Sequence, residues 1–188
     1  MRVLTAKTYV REVLAKMGVT YDSCTTQIDV PPELAKSIMA WGAAKIPDDI
    51  LHNDGKDTKG REDEIHATLL YGLTDDNPEG VQKIASSMEP FAIRLGLVTA
   101  FMDKPDYDVL KIAVESPQLI KLHYALRNNL KNSNKFPTYD PHITIAYLKK
   151  GAAMPYLGDE SFRNQFFHAA SLTYSNRDQN RIQIAFKS

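Results

Sequence analysis

Two short stretches of this chain carry the same pair of reactive side chains, His66 with Thr68 and His142 with Thr144, each opening an apolar run (HATLLYGL and HITIAYLK). Side chains two apart on a strand share a face, so each run presents an imidazole and a hydroxyl together. An imidazole with an unperturbed pKa of about 6.5 can hold either protonation state near neutrality. Two of them around one atom make an acid–base couple. The neutral ring takes a proton from the nucleophile, and the protonated ring gives one to the leaving oxygen. Threonine hydroxyls can donate to the non-bridging oxygens of a phosphate and stabilise the charge that builds there. Neither motif has a second ligand at metal spacing, and threonine is a poor one, so the pattern predicts neither metal nor cofactor.

The elements that must position these residues form a repeat. QIDVPPELAKSIMAW, a loop and HATLLYG parallel KIAVESPQLIKLHYA, a loop and HITIAYL. Each copy reads as strand, proline-started helix, loop and histidine strand. Two lobes related by a pseudo-twofold axis can bring both pairs to one cleft. Outside the repeat, TAKTYVREVLAKMG predicts an N-terminal helix and NPEGVQKIASSMEPF a helix capped by Asn77. AIRLGLVTAFM and YDVLKIAVE predict a hairpin around DKPD, and FFHAASLTY and RIQIAFK one further strand each. Residues 47–64 hold seven acids against three bases without periodicity, which predicts a long loop, either a lid over the cleft or an insertion.

Composition narrows the partners. Lys plus Arg equals Asp plus Glu at 23 each, so no global field holds a long polyanion and a nucleic-acid coat is disfavoured. The acidic loop points the same way, toward a small substrate. A single cysteine, Cys24, leaves no disulfide framework and fits a reducing cytoplasm. No apolar run is long enough to span a membrane, and the N-terminus lacks a signal-peptide core.

Most other candidates have plainer readings. Strict alternation puts Tyr71 and Tyr147 opposite the histidines, in the core, and Leu70 and Ala146 on the histidine face as a pocket floor. His52, His123 and His168 lack the paired context. Trp41 continues a helix stripe with Leu34 and Ile38. Tyr139, Arg94, Lys111, Lys149 and Lys150 are candidates for contact with a nucleotide, against an equally good reading as solvated surface. No nucleotidyl-accepting lysine motif for RNA end joining is present.

HATL at 66–69 and HITI at 142–145 resemble the paired His-hydrophobic-Thr-hydrophobic signatures of the two-histidine (2H) phosphoesterase superfamily, across about residues 24–187. That group includes LigT-like RNA cyclic phosphodiesterases and phage enzymes that destroy cyclic-oligonucleotide immune signals (anti-CBASS nucleases). The resemblance implies an α+β fold with antiparallel sheets around a central cleft, in residues 24–188, after an N-terminal helical extension over 1–23. It implies that His66 and His142 are catalytic and that Thr68 and Thr144 bind phosphate. FPTYDPHITIAYLKKG is similar to phage-encoded members, which implies a viral protein of the host cytoplasm and a cyclic-oligonucleotide substrate. RNA 2′,3′-cyclic ends, 2′-5′ linkages and a catalytically silent nucleotide-binding module are the alternatives.

Overall fold

The computed structural model describes residues 21–54 and 60–187; the helix expected over 5–18 lies outside them. Eight strands are named in chain order: β1 (Cys24–Asp29), β2 (His66–Leu73), β3 (Phe91–Phe101), β4 (Tyr107–Glu115), β5 (His142–Lys149), β6 (Phe166–Ala169), β7 (Ser171–Ser175) and β8 (Arg181–Ala185). The helices are α1 (Pro32–Lys45), α2 (Glu79–Ala85) and α3 (Pro117–Asn129). All three begin beside a proline, which suits the first turn because its missing N–H has no intrahelical partner. Ser116 caps α3 by accepting from the Leu119 N–H at 3.3 Å, and Asn77 accepts from the Glu79 N–H at 3.0 Å. The second helix is shorter than expected because Ser86 and Ser87 turn the chain after Ala85, their hydroxyls donating to Lys83 O at 3.0 Å and Ile84 O at 2.7 Å.

The strands form one antiparallel sheet in the order β6-β3-β4-β5-β2-β1-β7-β8. The fold is α+β as expected, with antiparallel strands and helices outside, and the two lobes join through one continuous sheet. Its centre is the β2–β5 pair, where Ala67 faces Ile143. Either side of that pair repeats the other, β5-β4-β3-β6 against β2-β1-β7-β8. The stretch expected as one strand, FFHAASLTY, is two. β6 pairs with β3 near one end of the sheet, and β7 pairs with β1 near the other. Only Ala170 separates them, so the sheet must curl until its ends approach. Phe91 of β3 and Phe186 beyond β8 close that seam, with ring centroids 5.4 Å apart.

The lobes exchange their connections. α1 packs against β5, and α3 against β2. Leu119, Leu122 and Leu126 are fully buried along α3, each worth about 1.5–3 kcal/mol of apolar transfer. The acidic loop is neither lid nor idle insertion in its described part. Its backbone runs along the edge of β5 that β2 leaves open: the His52 N–H donates to Tyr147 O, the Tyr147 N–H to Gly60 O, and the Glu62 N–H to Ile145 O. In return, the loop after α3 covers the free edge of β2, where Ser133 N–H donates to Gly72 O and Thr74 N–H to Lys131 O. Gly72 has φ +93°, and a Cβ there would sit 2.8 Å from Ser133 Oγ. Only glycine fits that approach.

Candidate active site

β2 and β5 deliver the two motifs to one face. The antiparallel register that pairs Ala67 with Ile143 sets Thr68 beside His142 and His66 beside Thr144. Each histidine therefore neighbours the other lobe's threonine, and His66 and His142 are close enough for their charges to interact. Thr68, His142 and Thr144 line a cavity of 500 Å³. The imidazoles are held alike. His66 Nδ1 donates to Glu64 O at 2.7 Å, and His142 Nδ1 donates to Asp140 O at 2.7 Å. A carbonyl can only accept, so Nδ1 carries the proton in both rings. Nε2 is left as the working nitrogen.

The surroundings break this symmetry. Directly across from His66 on β1 is Asp29, whereas His142 faces Ala113 on β4. Across from Thr68 is Gln27, whereas Thr144 faces Lys111. Lys111 is buried, with Nζ 2.8 Å from Asp140 and 4.1 Å from the Phe101 ring centre. Phe101 also meets His142 edge-on at 4.9 Å. Burial, first, and the Lys111 charge hold His142 below the usual histidine range. The asymmetry favours the neutral form of His142 and sets across from His66 an aspartate whose carboxylate accepts from Gln27 Nε2 and Thr173 Oγ1, both at 2.6 Å.

Two aromatic residues brace the threonine. Tyr139, expected as a substrate contact, lines the cavity, but its hydroxyl donates to Thr68 O at 2.8 Å. His123 stacks flat on Tyr139 at 4.0 Å, and its Nδ1 donates to Leu69 O at 2.6 Å. Burial lowers the His123 pKa and raises that of Tyr139. Sequence reasoning alone misses this role for both side chains. The available signal for His123 is its place four residues after Leu119, on the buried stripe of α3.

The pocket walls depart from strict alternation. On β1, successive residues Thr26 and Gln27 face Leu70 and Thr68, so Leu69 is an extra residue. On β4, Leu110 and Lys111 face Ala146 and Thr144, so Ile145 is extra. Each is a β-bulge directly after the motif threonine, and it reverses the phase of the rest of the strand. Leu70 and Ala146, expected as the pocket floor, are instead fully buried in the core. Tyr71 and Tyr147, expected in the core, line the cavity.

The remaining candidates are dispersed. Arg94 lies on β3 opposite Glu115, in a groove with Phe166 and His168 away from the cleft. Lys149 ends β5 opposite Tyr107 and is exposed. Lys150 donates to Met102 O at 2.5 Å and to Asp108 at 3.3 Å. His52 stacks on Tyr107 at 5.0 Å, and Trp41 packs edge-on to Phe162 at 5.7 Å. Among the described residues, no helix is long and apolar enough to cross a membrane.

The sequence matches the model of the 2′-5′ RNA ligase superfamily over residues 30–175. The fold is similar to TT0787 of Thermus thermophilus, with a TM-score of 0.63 and 15% identity, covering 87% of this chain and 94% of that one. It is similar to LigT of E. coli, crystallised with 3′-AMP, with a TM-score of 0.60 and 18% identity over 88% and 99% of the two chains. Usb1 of Kluyveromyces marxianus aligns with a TM-score of 0.59 and 11% identity over 89% and 99%. No curated protein matches the sequence.

Proposed function

The chain belongs to the 2′-5′ RNA ligase superfamily, the two-histidine phosphoesterases, and on that premise we propose that it is a metal-independent phosphodiesterase acting on a small nucleotide phosphodiester. The observation that carries the reading is the matched pair of imidazoles on one face of the β2–β5 pair, each oriented by a backbone carbonyl two residues upstream. Neutral His142 is the general base. Its Nε2 takes the proton of the attacking hydroxyl, a water or the adjacent ribose 2′-OH. The nucleophile–phosphorus bond forms as the bond to the leaving oxygen breaks. His66 as imidazolium then gives its Nε2 proton to that oxygen. Asp29, across the strand from His66 and held by Gln27 and Thr173, offers a negative charge on the side where that imidazolium forms. The Thr68 and Thr144 hydroxyls donate to the non-bridging oxygens, whose charge grows in the transition state.

Run backwards, the same two imidazoles join a hydroxyl to a cyclic phosphate. The ligation in the family's name therefore needs no nucleotidyl-accepting lysine.

For the substrate we favour a cyclic oligonucleotide signal of the kind destroyed in viral immune evasion. The balance of 23 basic and 23 acidic residues disfavours a long RNA, whose affinity needs many phosphate contacts. Structures of LigT hold 3′-AMP or NADP+, which is consistent with a small nucleotide here. The test is a screen of purified protein in excess chelator against cyclic dinucleotides, 2′-5′ linkages and 2′,3′-cyclic nucleotides, with products identified by mass. Cleavage of cyclic dinucleotides is expected. Turnover of 2′,3′-cyclic ends alone would assign the protein to RNA-end processing, and no turnover would leave a silent binding module.

A further inference from the structure

The paired bulges do more than reverse the strand phase. In ladder positions, Tyr71 lies three steps from Ala67, and Tyr147 three steps from Ile143. The strands run antiparallel, so those steps lead in opposite directions. The two tyrosines therefore stand six steps apart, about 20 Å at ~3.3 Å per residue. The four histidine and threonine side chains lie midway. Both rings line the one cavity. Tyr71 is 54% exposed, an unusual place for a phenol ring on a strand flanked by buried leucines. Tyr147 is braced by Tyr107, edge-on at 5.9 Å, which stacks in turn on His52.

We infer that the cleft takes an internal phosphodiester with a nucleoside on each side, one base stacking on Tyr71 and the other on Tyr147. This rests on the reading of the central His–Thr cluster as the phosphate site. A phosphate held there has its two ester arms leaving along the strands in opposite directions, toward the two rings. Every base has a π-face, so stacking of this kind tolerates different bases. The braced Tyr147 end is the more rigid subsite, and the Tyr71 end is the open one. A terminal 2′,3′-cyclic phosphate carries a nucleoside on one side only and leaves one ring unused. An internal linkage, in a dinucleotide or a cyclic oligonucleotide, uses both.

The test is calorimetric binding to an inactive His66→Ala/His142→Ala protein, so that turnover does not intrude. The probes are the dinucleoside monophosphate ApA, 3′-AMP, and ApA analogues lacking either base. ApA should bind roughly 5- to 150-fold more tightly than 3′-AMP, the worth of one added stack. Tyr71→Leu and Tyr147→Leu, which keep apolar bulk on the strands, should each weaken ApA by a similar factor. Each substitution should lose its effect on the analogue missing the base it holds. Equal affinity for ApA and 3′-AMP, or Leu variants that bind ApA as before, would overturn the inference. Two-base binding without cleavage of any diester by the wild-type protein would sink the enzymatic reading and leave the subsites standing. Cleavage indifferent to both tyrosines would sink only the subsites.

Discussion

Lys111 Nζ lies 2.8 Å from the carboxylate of Asp140, the residue whose backbone carbonyl orients His142. Gln27 holds the equivalent ladder position in the other lobe. Lys111→Gln imports the neutral residue of the first lobe. It removes a charge that disfavours the imidazolium and leaves the Asp140 carboxylate uncompensated, so the His142 pKa rises. If His142 is the base, the acid limb of the kcat/KM profile moves to higher pH and activity at low pH falls. Asp29→Asn should move the opposite limb, toward lower pH. A Lys111→Gln profile displaced only on the alkaline side would exchange the roles of the two histidines.

Either His66→Ala or His142→Ala should lower turnover by about 10² to 10⁴, the usual share of a general acid or base. The double variant should lose less than the product of the two, because the rings act as a unit. Steady-state rates in excess chelator decide the matter. Activity lost to chelator and restored by zinc or magnesium would refute metal-independent chemistry.

Thr→Val at 68 and 144 removes a hydroxyl at nearly constant volume. Each change should reduce kcat by about 1–4 kcal/mol of transition-state stabilisation with little change in thermal stability. A double Val variant with wild-type kinetics would assign both threonines to strand packing.

Stability should fall as pH drops below about 6.5, the ordinary histidine value. Burial lowers the pKa of both His123 and His142. In that range the unfolded chain binds protons that the folded chain does not, so unfolding is favoured as pH falls. His123→Asn keeps a donor near the Leu69 carbonyl and removes the titrating ring. Urea unfolding between pH 5 and 7.5 should show a shallower pH dependence in this variant than in wild type.

The catalytic candidates are legible in the sequence because side-chain identity itself repeats. His66–Thr68 and His142–Thr144 follow matching helices, and no structure is needed to see the match. The tyrosines are misplaced by strict alternation for a physical reason. A bulge is set by register against β1 and β4, and nothing in LLY or IAY marks Leu69 or Ile145 as the extra residue. The role of the acidic loop is hidden because it is carried by backbone N–H and C=O groups, which any polar sequence supplies. Tyr139 and His123 act through hydrogen bonds to carbonyls in another lobe, a relationship visible only once α3 is seated behind β2.

The exchange of helices and loops has a bearing on assembly and folding. Each lobe lends the other a helix and a strip of backbone, as two chains do in a domain-swapped dimer. Here both lobes belong to one chain, and the first, built from β1, β2, β7 and β8, encloses the second, built from β3 to β6. Either lobe without the other would expose an unpaired strand edge and a bare apolar face. The candidate catalytic residues lie on the seam between the two lobes, at the β2–β5 pair, so their arrangement needs both lobes in place.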